Sequence, residues 1–110
     1  MQPTPPPVQP KAAEVEVTPL RVRRNRRPDY PRRAFSRGIP ARVVLSLNID
    51  ERGRVGLVET ISVTAPRYKR DFEKAARTAA KRTRYYPREE NGRPVPVRNL
   101  RKTYVFDPDN

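Results

Sequence analysis

Residues 42–49 alternate without a break: Val43, Leu45, Leu47 and Ile49 fall on one parity, Val44, Ser46 and Asn48 on the other. A period of two with one apolar face is the pattern of a half-buried strand. Asp50-Glu51-Arg52-Gly53 then interrupts it with turn residues, Gly53 being suited to positive φ. A second strand is expected over residues 54–63. Val55, Leu57, Ile61 and Val63 share one parity there, and Val58 sits opposite.

Beyond this hairpin the period changes. Thr64-Ala65-Pro66 is expected to open a helix, with proline tolerated at its start. Tyr68, Phe72, Ala75, Ala76, Ala79, Ala80 and Thr83 form a stripe at spacings of three and four, with charged residues on the other face. The alanines let such a helix lie close to a sheet. Pro87 is expected to stop it, and Tyr85-Tyr86 reads as a plug at its end, one ring in the core and one at the rim. Residues 88–94, with Asn91-Gly92, read as a polar loop. Residues 95–106 read as a last strand whose alternation changes phase: Val95 and Val97 are odd, while Leu100, Tyr104 and Phe106 are even. A bulge near Asn99 reconciles the two. A shorter helix of one or two turns is expected over residues 32–37, ending near Gly38.

The N-terminal part reads differently. Eight of the 14 prolines lie in the first 31 residues. Spaced prolines favour extended polyproline II and supply few donors for a ladder. Residues 1–20 therefore read as a semi-stiff linker, and Arg21, Arg23, Arg24, Arg26 and Arg27 as a self-repelling basic cluster that stays solvated. The expected division is a Pro/Arg-rich disordered linker over residues 1–27 and one folded domain over residues 28–110. The chain carries no apolar run near the ~20 residues that span a bilayer.

Composition narrows the chemistry. With 25 Lys and Arg against 12 Asp and Glu, the net charge is +13. Such a field attracts phosphates, anionic lipid head groups and acidic proteins. The absence of Cys and His removes thiolate and imidazole nucleophiles, bases and metal ligands. Asp50-Glu51 and Glu89-Glu90 lie in loops beside arginine, without a partner acid, and read as turn solvation rather than general acid–base groups. No catalytic residue, cofactor site or metal site is expected. For nucleic acid, the chain has no GxxG loop and no aromatic pattern of the RNP kind. Tyr104 and Phe106 alternate as stacking residues can, yet the adjoining prolines favour a solvated linker for the arginine run. The run also suits lipid A phosphates or peptidoglycan.

Taken together, several short signals resemble the C-terminal domain of TonB, an energy transducer of the Gram-negative periplasm. They are Tyr30-Pro31, then Arg33-Ala34, Gly53-Arg54-Val55 leaving the hairpin, Phe72-Glu73, and Arg84-Tyr85 before Pro87. The resemblance covers about residues 28–106, and the Pro-rich run upstream is similar to that family's periplasm-crossing spacer. Thr83 stands where the family often has Trp, and Ala41 where Gly is common. TolA, related in fold and energy coupling, is the alternative resemblance.

The resemblance implies an α+β fold of two layers: a three-stranded antiparallel sheet with one long and one short helix on one face, strand one central and the last strand at an edge. It implies that the TonB box of outer-membrane TonB-dependent receptors adds to that last strand. The site residues it implies are Val97, Arg98, Asn99, Leu100, Arg101, Lys102, Thr103, Tyr104 and Val105, with Pro28, Asp29 and Tyr30 touching the incoming peptide. Arg98 and Lys102, if outward, guard the edge against self-pairing. The opposite edge, near residues 58–62, is expected to be indifferent to peptide. The resemblance also implies coupling to ExbB and ExbD through a transmembrane anchor expected upstream, an inner-membrane-anchored periplasmic location, and a role in uptake of siderophores, haem or vitamins. No specific nucleic acid is expected as a partner, and weak homodimerisation is allowed.

Overall fold

The computed structural model describes residues 20–109. Of the linker expected over residues 1–27, residues 1–19 lie outside the described residues. The central sheet has the order β3-β2-β7, built from β2 (Ala41–Ile49), β3 (Val55–Thr64) and β7 (Val97–Phe106), with both pairings antiparallel. Two helices, α1 (Arg32–Ser36) and α2 (Lys69–Arg82), complete the α+β layering expected from the sequence. Val43, Leu45 and Leu47 on β2 join Ala34 of α1 and Phe72, Ala76, Ala79 and Ala80 of α2 in one buried cluster. Burying each large side chain there contributes roughly 1.5–3 kcal/mol. The alanines bring α2 onto the sheet as their spacing predicts. Outside the core, Thr60 Oγ1 donates to Glu73 Oε2 at 2.7 Å and accepts from Arg77 Nη1 at 3.2 Å, fastening β3 to the same helix.

β3 does not keep the single parity read from its sequence. Its register against β2 shifts between Val44 and Leu45 and again between Leu47 and Ile49, with the extra residue on β3 each time. Each bulge turns the following side chains to the other face. Val58, expected opposite the apolar face, is therefore buried in the core beside Leu47, whereas Leu57 and Ile61 are exposed. Val55 and Val63 pack on the core as expected.

The long helix starts later and stops earlier than its sequence signals imply. Tyr68 turns through the left-handed region (φ 62, ψ 34) and caps the helix, so it precedes the stripe rather than opening it. Thr83 ends the helix in an extended conformation, its N–H bonded to the carbonyls of Ala79 and Ala80 and its Oγ1 donating to the Ala79 carbonyl at 3.0 Å. A buried threonine satisfied in this way stops the helix before Pro87 is reached. The residues that follow form β4 (Arg84–Tyr86), in which Tyr85 is buried and Tyr86 lies exposed at the rim.

Two further strand pairs were not legible as strands. β1 (Arg21–Arg24), read as part of the linker, pairs antiparallel with β4. All four of its residues are exposed, and the Arg21 guanidinium sits 5.3 Å from the centre of the Tyr86 ring. Tyr86 thus gives Arg21 of the basic strand a ring face to lie over. The polar loop is a hairpin of β5 (Arg88–Glu90) and β6 (Arg93–Val95). Asn91 and Gly92 both take positive φ, 53° and 81°, the requirement of a tight I′ turn.

Gly53 is a fixed point of the fold. Its φ is 84°, and a Cβ there would lie 1.9 Å from the Tyr85 carbonyl oxygen. Tyr85 N donates to the Gly53 carbonyl at 2.9 Å, so the hairpin is clasped directly to β4.

Candidate functional site

β7 pairs with β2 along one side only; among the described residues no strand occupies its other side. From Ala41↔Phe106 to Leu47↔Leu100 the pairing runs in unbroken register. The next pair is Ile49↔Val97, so β7 holds one extra residue around Arg98 and Asn99. Asn99 takes φ 57, and its N–H is caught at 3.1 Å by the Asn48 side-chain oxygen on β2. This is the bulge that the phase change in the sequence required. It divides the strand into a regular run of residues 100–106 and a short leading piece.

The side chains along β7 alternate accordingly. Leu100, Lys102, Tyr104 and Phe106 lie toward the helices, with Tyr104 and Phe106 buried. Arg98, Asn99, Arg101, Thr103 and Val105 are exposed, and Val97 is half-buried. Lys102 is not a free outward guard. Its ammonium lies 5.5 Å from the Tyr104 ring centre and 5.8 Å from that of Tyr85, and it donates to Asn25 Oδ1 at 3.3 Å. Burial holds its pKa below the usual lysine value. Burial also raises the Tyr85 phenol, and pushes Tyr104 up to about 12 with help from neighbouring Tyr85. Arg98 and Arg101 remain as the exposed cations along the strand.

Of the second stretch expected in the site, Tyr30 is brought to the far end of the same strand. Tyr30 packs edge-on against Phe106 at 5.5 Å, Phe35 at 5.2 Å and Phe72 at 5.7 Å, and its hydroxyl donates to the Ile39 carbonyl. Phe72 and Phe106 are 4.9 Å apart. This aromatic cluster ties α1, α2 and the end of β7 to the incoming chain. Pro28 is half-buried and Asp29 exposed, on the rim of a groove of about 720 Å³ between residues 25–33 and one face of α2. Asn25 was not singled out from the sequence. Nothing local marks it, since its partner Lys102 is far away along the chain.

The other edge of the sheet, β3, is broken by its two bulges. A strand with interrupted register offers its N–H and C=O groups at uneven spacing and is a poor template for addition. The sheet therefore has one regular open edge. Over residues 26–107 the chain matches the family model described as Gram-negative bacterial TonB protein C-terminal. The chain belongs to this family. Its expected fold agrees with what the residues build here, including the edge position of the last strand. Comparison with the curated proteins finds no match. TonB C-terminal domains form a family of interaction and energy-transduction modules rather than enzymes, and the Gram-negative TonB assignment implies a periplasmic location. Among the described residues, no helix is long and apolar enough to cross a membrane.

Proposed function

We propose that this domain captures the TonB box of an outer-membrane TonB-dependent receptor as an added strand on β7, along residues 100–106. The observation that carries the reading is the unbroken register of that run beside a free edge, in a chain of the TonB family. Main-chain bonds supply the affinity in strand addition and tolerate varied side chains, so one transducer can serve several receptors. The bulge at Asn99 sets one limit of the docking run, and Tyr30 beside Phe106 sets the other. Arg98, Asn99 and Val97 then flank the peptide rather than pair with it, while Pro28 and Asp29 lead into Tyr30 at its far end.

The same geometry suits a mechanical task. A pull directed along β7 loads several parallel hydrogen bonds together rather than one after another. In this reading the force derives from proton-motive force through ExbB and ExbD, reached by an inner-membrane anchor upstream. Its product is active uptake of nutrients such as siderophores, haem or vitamins.

Backbone amide shifts during titration with TonB-box peptides test the proposal. Shifts centred on residues 100–106 and on Tyr30 are expected. Affinity should be modest, because a short flexible peptide loses entropy on docking. Shifts centred on β3, or none on β7, would sink the mechanism.

A further inference from the structure

On β1, Arg24 stands directly opposite Arg84 of β4. Like charges paired across two strands are destabilising, yet the fold adds to the conflict. Arg26 follows β1, and Lys81 and Arg82 close α2; together the five side chains line one shallow cleft of about 340 Å³. Among the described residues no carboxylate lines this cleft, and all five residues are exposed. Arg84 is held in place, its Nη1 donating to the Lys81 carbonyl at 3.3 Å and the Thr83 carbonyl at 3.4 Å. The last-turn position of Lys81 and Arg82 suits the negative end of the helix dipole. That attraction does not neutralise five cations drawn to one place from three elements. An anionic partner would.

We propose that this cleft docks the domain on a bilayer surface through lipid phosphate groups. Three features favour a membrane over a single bound anion or an acidic chain. The cleft is open, and none of its residues is buried, so it lacks the enclosing walls that grip one ion. Tyr86 lies on the same face of the β1–β4 pair as Arg84, half exposed, with Arg21 over its ring. An amphipathic ring beside basic side chains is the composition that settles at the headgroup level. The periplasmic setting of the family also places two phosphate-bearing leaflets within reach. The cleft is built from β1, α2 and β4, and shares no residue with the β7 run. Membrane docking and peptide capture are therefore separable.

The test is co-sedimentation of the full chain with ~3:1 phosphatidylcholine–phosphatidylglycerol vesicles, against phosphatidylcholine alone, at low salt. Binding to the anionic vesicles only is expected. The triple variant Arg24→Gln/Lys81→Gln/Arg82→Gln should lose on the order of 100-fold in affinity, from the contribution of each basic residue near such a surface. A control triple, Arg42→Gln/Arg52→Gln/Arg93→Gln, removes the same charge elsewhere and should lose far less. Both variants should keep the far-ultraviolet circular dichroism of the parent. In the unmutated chain, vesicles should broaden the amides of residues 21–26 and 81–86. Equal loss in both triples, broadening centred elsewhere, or no preference for anionic vesicles overturns the proposal. So does binding of a short DNA duplex that the first triple alone abolishes while vesicles stay unbound.

Discussion

At the scale of single residues, the fold rests on a few positions where no substitute fits. Gly53 combines positive φ with a backbone carbonyl in the space of its missing Cβ. Neither can relax by moving a flexible side chain. Gly53→Ala should therefore cost at least about 2 kcal/mol, combining left-handed strain with displacement of β4; denaturant melts read it directly. Tyr104 makes a second prediction. Its phenol is raised from the ordinary 10.0 to about 12 in the folded chain. A raised acid pKa stabilises the fold fully below the unfolded value, and that stability is lost as pH climbs toward the folded value. Unfolding free energy should thus fall between about pH 10 and 12. Tyr104→Phe should shrink the fall and leave the parts owed to Tyr85 and Tyr30, which burial also raises. An unchanged alkaline profile in the variant would remove Tyr104 from the account.

At the scale of elements, strand pairing decides what β7 can do. Alternate residues of an edge strand point their N–H groups inward to the ladder or outward to solvent. A proline removes that N–H. Arg101→Pro and Thr103→Pro share one parity, and Lys102→Pro has the other. One parity should abolish peptide binding with the sheet intact, and the other should break the β2 pairing and unfold the domain. Folded variants of both parities with undiminished binding would refute docking on this edge. The elements also show what a sequence discloses and what it hides. Val43 to Ile49 announced β2 because β2 carries no bulge of its own, every extra residue falling on β3 or β7, and the phase change from Val97 to Leu100 located the β7 bulge. β3 hid two bulges because Leu57, Val58 and Ile61 are all apolar, so hydropathy carried no mark of the face switch. Asn91-Gly92 is a hairpin signal without flanking support, because strands this short, Glu and Arg on either side, have no apolar alternation. β1 was invisible because its partner, β4, is distant in sequence and its own residues are mostly arginine. The Lys102–Asn25 contact was hidden for the same reason of distance.

At the scale of the whole molecule, a net charge of +13 on 110 residues works against compactness. The repulsion is concentrated where Arg24, Arg26, Lys81, Arg82 and Arg84 converge. Salt screens such exposed charges over about 10 Å at 0.1 M. The melting temperature should rise by several degrees when sodium chloride goes from about 20 to about 200 mM. A flat response would mean that the charges are already compensated within the folded chain.

The unequal edges of the sheet carry one more consequence. A subunit that could accept a strand on both sides would be bifunctional, and bifunctional monomers grow chains. Among the described residues, the paired bulges of β3 leave one regular edge per molecule. On the proposed docking at β7, such a molecule would act as a chain terminator: one added strand caps it, and growth stops there.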